Sequence, residues 1–179
     1  SGRRKNLDPE ERKSMTAANI LLAVTAVLTG LVAGLFYAWS VSITRGLARV
    51  ADREYVSVMQ ATNRAIQNPL FFASFFGAQI LLPVSSFFFY GTGGARFWLI
   101  LASTVVYTAG VMGVTVFGNV PLNNRLDRFK LESSSPEEIA GARGGYENLW
   151  NNLNTVRTVS SILALVLIVL ACLKAKGEA

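Results

Sequence analysis

Four long apolar stretches constrain the fold of this chain more than any other feature of its sequence. They cover about residues 16–39, 70–90, 97–120 and 156–173. Because a helix rises about 1.5 Å per residue, roughly 20 apolar residues cross a hydrocarbon layer about 30 Å thick. We therefore predict an all-α fold, an integral membrane four-helix bundle formed by one domain, residues 16–173.

The composition agrees with a membrane domain. Of the 179 residues, 51% are hydrophobic and 16% are charged, whereas about 25% of the residues of an average soluble domain are charged. The formal net charge is +6, but the basic residues flank the apolar stretches and form no nucleic-acid-binding motif. We expect membrane lipid as a partner and no nucleic acid. Residues 1–15 and 174–179 are predicted to be polar tails.

Two polar connections carry signals for further helices. Between the first two spans, apolar residues recur every three or four positions, which predicts an amphipathic helix. Between the last two spans, Ser135, Pro136 and Glu138 have the spacing of a capping box, which predicts a helix start inside a long connection. The predicted apolar face of the first of these helices comprises Leu47, Ala51, Tyr55, Val58, Thr62 and Ile66, and its polar face comprises Arg49, Arg53, Gln60, Asn63 and Arg64.

Proline and glycine predict where the spans end and where they pack closely. Pro121 is expected to end the third span, because proline disfavours helical geometry in the residue before it. Gly30 and Gly34 have the small-residue spacing of closely packed membrane helices, and Gly110 and Gly113 are expected to permit close contact in the third span. No residue from 146 to 173 breaks a helix, so the last helix should extend beyond the lipid.

Polar side chains gather at one end of the predicted spans. Because a buried guanidinium near hydrocarbon costs several kcal/mol when unpaired, Arg157 is expected to find a partner in Glu147, Asp127 or an asparagine carbonyl. The cluster is either a ligand-binding site or a hydrogen-bonded clamp that fastens the connections to the spans. It comprises Gln60, Asn63, Asn119, Asn123, Asn124, Trp150, Asn154 and Arg157.

Phenylalanine is concentrated in and around the second span. Such side chains can stack on an aromatic ligand, but filling the core or facing lipid is the interpretation that the sequence favours. The residues are Phe71, Phe72, Phe75, Phe76, Phe87, Phe88 and Phe89.

Missing residue types exclude several kinds of chemistry. The chain has no histidine, which excludes a histidine base, histidine metal ligands and histidine haem ligation. Its single cysteine, Cys172, excludes an internal disulfide and a cysteine-rich metal site. No phosphate-binding loop or nucleophile elbow is present. We predict no metal site.

Three separated motifs lie at residues 59–64 followed by Asn68 and Pro69, at 119–124 and at 150–158. Together they resemble the anthrone oxygenase-like family of small membrane proteins. The resemblance extends over about residues 16–173 and implies a four-helix membrane bundle. Fungal members of that family convert anthrones to anthraquinones without a bound metal or flavin, so the resemblance implies no cofactor. Members often carry a histidine where this chain has Asn154, which weakens any proposal of histidine catalysis.

Bacterial members resemble the chain more closely than fungal ones do, so we expect a bacterial plasma membrane. The tails and the turn at 91–96 hold eight Lys and Arg, against nine on the other side, in the two long connections and at Arg157, so this count does not decide the orientation. The first 15 residues alone hold five, and the first helix often dominates topology. Both termini are therefore expected in the cytoplasm.

Two functions remain open from the sequence. The first is a site that binds or oxidises a lipophilic phenolic molecule, with Arg157, Asn154 and Asn119 at its polar end. In that case Glu54 or Glu147 is expected to take the proton. The alternative is a non-enzymatic membrane subunit or scaffold that binds a protein partner through residues 40–69 and 122–150.

Overall fold

The computed structural model describes residues 9–92 and 94–174, with side chains from Ala17 onward except at Thr92. Within this part the chain is helical and contains no strand, so the predicted all-α fold is confirmed. Three short π-helical segments interrupt the α-helices: π1 (Trp39–Ile43), π2 (Thr108–Gly113) and π3 (Thr115–Asn119). The α-helices are α1 (Pro9–Ala38), α2 (Thr44–Leu47), α3 (Asp52–Ala65), α4 (Pro69–Phe89), α5 (Ala95–Tyr107), α6 (Val120–Asp127), α7 (Pro136–Gly144) and α8 (Glu147–Leu173).

Four continuous helical segments are long and apolar enough to cross a membrane, as predicted. We number the long helices in chain order: the first joins α1, π1 and α2, the second is α4, the third joins α5, π2, π3 and α6, and the fourth is α8. α1 begins at Pro9, so part of the predicted tail 1–15 is helical. Residues 1–8 and 175–179 of the predicted tails lie outside the described residues.

The long helices pack side by side around an apolar core. α1 and α5 each pack against both α4 and α8. Leu22, Leu82, Ile100 and Ile168 are among the buried side chains between them. Large apolar side chains also cover the outside, and Phe117 is 86% exposed. An apolar surface of this extent suits contact with lipid.

One close helix crossing depends on glycine. A Cβ placed on Gly110 would overlap the Ser160 side chain of α8, whereas one on Gly34 would meet nothing within 4 Å. A Cβ on Gly30 would make an ordinary contact with Leu165 at 3.6 Å. The prediction of close contact is therefore confirmed at Gly110, while Gly113 approaches only Thr108 of its own helix.

Pro121 does not end the third long helix, contrary to the prediction. The helix continues through α6 to Asp127. Only Val120 separates Pro121 from the end of π3, and in a π turn each carbonyl bonds to the amide five residues ahead. The widened turn thus accommodates the missing proline N–H without breaking the helix.

The two connections fold together into a cap at one end of the long helices. α3 packs against both α6 and α7. Leu47, Tyr55, Met59 and Ile139 form a second apolar core there. Burial raises the pKa of the Tyr55 phenol, and the nearby Glu147 carboxylate raises it further. The cap is therefore a packed unit with a core of its own.

The buried face of α3 differs from the predicted one. Val56, Met59 and Asn63 are buried with Tyr55, whereas Val58 is 39% exposed. Helices α6 and α7 cover α3 from two sides, which rotates its buried face away from the predicted stripe. Asn63, assigned to the polar face from the sequence, therefore points inward.

Arg143 connects the cap to the end of the first long helix. Its guanidinium donates to Asp52 at 2.9 Å and to Glu147 at 2.7 Å, and it also bonds the Leu47 carbonyl. The group lies 4.5 Å from the centre of the Tyr55 ring. Arg143 is thus a fully paired structural cation.

The amphipathic helix predicted between the first two spans is α3, and the helix start predicted at Ser135 is confirmed. Ser135 and Glu138 form a capping box, in which each side chain bonds the backbone N–H of the other. At the start of α4, the Asn68 side chain accepts hydrogen bonds from the N–H groups of Leu70 and Phe71. These caps fix where α7 and α4 begin, and the first turns of α4 then form one wall of the site described below.

Candidate functional site

A cavity of about 240 Å³ lies where the cap meets the long helices. Its walls come from the end of α1, the C-terminal part of α3, the first turns of α4, the π segments of the third long helix, and α8. All three π segments contribute lining side chains that the sequence analysis did not predict: Trp39 from π1, Met112 from π2 and Thr115 from π3. π turns occur frequently at functional sites.

The cavity brings together most of the predicted polar cluster. Gln60 is the exception, because its amide donates to the backbone carbonyls of Leu126 at 2.8 Å and Phe129 at 2.9 Å. These two bonds fasten α3 to the end of the third long helix, so Gln60 is part of a clamp. The cluster residues that line the cavity are Asn63, Asn119, Asn123, Asn124, Trp150, Asn154 and Arg157.

Arg157 is the charged group of the cavity, and it is only 7% exposed. Its Nη2 donates to Asn154 Oδ1 at 2.8 Å, and Nη1 lies 3.5 Å from Thr115 Oγ1. The guanidinium stands 4.3 Å from the centre of the Phe36 ring and 5.5 Å from that of Trp150. An asparagine carbonyl is thus its polar partner, one of the three that the sequence suggested.

The two carboxylates expected as partners of Arg157 are bound elsewhere. Glu147 pairs with Arg143 at 2.7 Å, and Asp127 pairs with Arg64 at 2.6 Å. Among the described residues, no ion pair to Arg157 is formed. Its positive charge is therefore stabilised only by hydrogen bonds to neutral oxygens and by contacts with aromatic rings.

Asn154 is held so that its carbonyl faces Arg157. Its Nδ2 donates to Ser40 Oγ at 3.0 Å, and Ser40 in turn shares a hydrogen bond of 2.8 Å with Thr158. Thr158 also donates to the Phe36 carbonyl at 3.1 Å. The sequence carries no local signal for Ser40 or Thr158, because 114 and 118 residues separate the partners.

Asn119 is buried without a hydrogen-bond partner. It is 1% exposed, and both its amide nitrogen and its amide oxygen lack a partner, as does Nε of Arg157. Each buried polar group left without a bond costs about 1–3 kcal/mol. These atoms therefore remain available to a molecule inside the cavity.

Other members of the cluster act as a clamp. Asn123 Oδ1 accepts from the Tyr146 hydroxyl at 2.8 Å and from Trp150 Nε1 at 2.9 Å. Asn63 Nδ2 donates to the same Tyr146 hydroxyl at 3.1 Å. Tyr146, which sequence reasoning missed, thereby joins α3, α6 and the start of α8.

Phenylalanines of α4 supply the apolar wall. Phe71 and Phe75 stack with ring centres 5.1 Å apart, and Phe72 and Phe76 line the cavity beside them. The second group of phenylalanines predicted from the sequence is not near the cavity lining, and Phe87 of that group is 80% exposed. Only the first group is placed to contact a ligand.

The cavity has a mouth between the start of α4 and the third long helix. The exposed lining residues include apolar ones on the long helices, among them Phe76 and Val116, and two polar ones, Gln67 and Asn124. A molecule with an apolar body and a polar end matches this arrangement.

The described lining of the cavity contains no side chain that can act as an acid or a base near neutral pH. Among the described residues that line it, none is Asp, Glu, Lys, Cys or Tyr. Glu54 is exposed on α3 and does not line the cavity, and Glu147 is paired with Arg143 outside it. The expectation that one of these glutamates takes a proton in the site is therefore wrong. Within the described part, no group of three or more acidic or cysteine side chains is placed to hold a metal ion.

Comparison with known proteins identifies a family that matches the chain. The sequence model of a family described as anthrone oxygenase matches residues 69–167, which is more than half of the chain. The matched region begins at α4 and includes Asn119, Asn154 and Arg157 as well as the phenylalanine wall. Neither a curated protein nor a solved structure matches the chain.

Proposed function

Because the chain belongs to the anthrone oxygenase family, we propose that its cavity binds a flat, lipophilic phenolic molecule and oxidises an anthrone-type substrate without a cofactor. In this proposal the four long helices cross the plasma membrane and the substrate comes from the lipid. One observation carries the proposal: Arg157 Nε and the Asn119 amide are buried without partners in a cavity otherwise rich in aromatic side chains.

The dimensions of the cavity favour a compact, rigid ligand. Its volume of about 240 Å³ lies just below the roughly 300 Å³ at which pockets for drug-sized ligands begin. Aromatic rings are best met by stacked or edge-on aromatic contacts, which Phe71, Phe75 and Trp150 are placed to make. A molecule of two or three fused rings meets both conditions.

The polar residues suit an oxygen atom that becomes negatively charged. An anthrone methylene that loses a proton gives an enolate, and its oxygen would accept hydrogen bonds from Arg157 and Asn119. Donors fixed in a water-poor site stabilise such a charge strongly, and loss of one donor typically slows a reaction by about 10²–10³-fold. The protein then stabilises the reactive anion rather than supplying a redox group.

The oxidation balances without an external reductant. The enolate carbon passes electrons to dioxygen and forms a C–O bond, giving a peroxide. Loss of the second methylene proton and cleavage of the O–O bond leave a carbonyl group and release water. The methylene is thus oxidised to a ketone while one dioxygen is reduced, with one oxygen atom in each product.

The proposal is tested with purified protein in mild detergent and anthrone as the substrate. We expect anthraquinone to form faster than in buffer, with one dioxygen consumed per product, and Arg157→Gln to lower kcat/KM by about 10²-fold. Arg64→Gln is the matched control, because Arg64 pairs with Asp127 outside the cavity. Wild-type protein that gives only the buffer rate, or Arg157→Gln that equals wild type, contradicts the proposal.

A further inference from the structure

Building on the proposed function, we infer that the cavity takes up its phenolic ligand as the anion and that water, rather than a side chain, receives the proton. The inference rests on the cavity described above and concerns which form of the ligand binds. It identifies the substrate class as phenols or enols acidic enough to ionise near neutral pH at the membrane surface.

The lining of the cavity contains no group that can accept the proton. Arg157 is the only lining residue with a charge among the described residues, and its guanidinium has donors but no acceptor and does not deprotonate in proteins. Asn119 and Asn154 are amides, which are too weakly basic to be protonated near neutral pH. A ligand that entered as the neutral acid would have no base to ionise it.

The helices packed around Arg157 also present no free proton acceptor among the described residues. The end of the first long helix presents Phe36 and Ser40, and π3 presents Thr115 and Asn119. The titratable groups nearest on α8 and just before it are already bonded: the Tyr146 hydroxyl donates to Asn123, and Glu147 pairs with Arg143. On α3 the charged Arg64 pairs with Asp127, away from the cavity.

An unbalanced cation in this setting favours an anionic ligand. A cation beside an ionisable oxygen lowers the pKa of that group by about 1 to 3. When the phenolate enters, the charge of the cavity changes from +1 to zero, whereas the neutral phenol leaves the guanidinium unbalanced. The O–H bond breaks at the polar mouth or in solution, and the proton goes to water or hydroxide.

The experiment measures binding, not turnover. Wild-type protein in detergent is titrated between pH 6 and pH 9 with 2-naphthol, with a more acidic nitro-2-naphthol, and with the methyl ether of 2-naphthol. We expect the apparent affinity for 2-naphthol to rise close to tenfold per pH step throughout the range below its own pKa. The curve for the nitro compound should level off at a lower pH, displaced by the difference between the two ligand pKa values, and the ether should bind at least tenfold more weakly with no pH dependence.

Two variants, Arg157→Gln and Arg157→Lys, provide an additional test. The titration of the wild-type protein stands without them. The Gln variant should lose the preference for the naphtholate over the ether, and the Lys variant should keep it, because it keeps the charge. Equal curves for both naphthols, with one fixed midpoint, would reveal a protein base and overturn the inference while leaving the proposed cavity intact. Equal binding of naphthol and ether would likewise overturn it. Binding of none of the three compounds would overturn the proposed function as well.

Discussion

Two arginines in this protein, the half-buried Arg143 and the buried Arg157, show the difference between a structural cation and one left for a ligand. Arg143 is surrounded by two carboxylates and backbone carbonyls, whereas Arg157 has two neutral oxygens within hydrogen-bond distance, those of Asn154 and Thr115, and two aromatic neighbours. Contacts between a guanidinium and aromatic rings contribute about 0.5–2 kcal/mol, which is less than the several kcal/mol that burying an unpaired ion costs. The protein therefore retains Arg157 at a cost to its own stability.

Asn119 provides a test that separates a ligand site from a clamp. Asn119→Leu removes two unpartnered polar atoms at similar volume, so the free energy of unfolding should rise by about 1 kcal/mol. The affinity for 2-naphthol should fall at least fivefold. Thermal unfolding and ligand titration in the same detergent measure both quantities.

Gln60→Leu is the matched control for this change, since Gln60 lies outside the cavity and bonds two carbonyls. It should lower the unfolding temperature and leave the affinity for 2-naphthol unchanged. If Asn119→Leu destabilised the protein instead, Asn119 would belong to the clamp.

Arg143 should matter for stability and not for ligand binding. Arg143→Ala leaves Asp52 and Glu147 without their cation and removes bonds to the chain before α3, so we expect a loss of about 2–3 kcal/mol. Arg64→Ala, which removes an exposed ion pair, should cost less than about 1 kcal/mol. Thermal melts of both variants in one detergent measure the difference, and equal losses would refute the role given to Arg143.

At the scale of single residues, the sequence allowed the polar cluster to be predicted. It did not show which of its members bond to one another and which remain available to a ligand. Spacing along α8 and the positions of Asn119 and Asn123 were enough to place them at one end of the spans. Which atoms remain without a partner depends on Ser40 and Tyr146, which approach from distant parts of the chain. Such long-range bonds leave no pattern in a single sequence.

At the scale of elements, the third long helix shows why local signals fail at a functional site. Proline after an apolar run normally indicates a helix end, yet here the helix continues past Pro121 because π turns precede it. Those turns also carry Thr115 and Asn119 into the cavity wall. The length and the apolar character of the spans were predictable, since they depend on composition alone, whereas the π turns depend on packing against α8.

The crossing of the third and fourth long helices should be intolerant of larger side chains. Gly110→Ala places a Cβ against Ser160, so we expect a loss of about 1–3 kcal/mol through overpacking. Gly34→Ala is the matched control: nothing lies within 4 Å of the added methyl group, and alanine is the better helix former. Its unfolding temperature should stay the same or rise slightly, and an equal loss in both variants would argue against close contact at Gly110.

At the scale of the whole molecule, two apolar cores share one polar layer. The core between the long helices and the core of the cap are separated by the level of Asn119, Asn123 and Asn154, where the cavity lies. The segments expected from the sequence to dock a protein, 40–69 and 122–150, pack on each other through α3, α6 and α7. Their apolar faces are therefore largely occupied within the chain.

The pairing of distant segments in the cap has a consequence for how the protein is made. A ribosome completes α3 long before it completes α7. Tyr55 and Met59 therefore remain unpacked against Ile139 until about 80 further residues have been synthesised. Arg157 emerges later still, after every other wall of the cavity has been translated. The first half of the chain thus carries an amphipathic helix with an uncovered apolar face through biogenesis, and a nascent chain halted before α7 would present a target for chaperones and membrane proteases.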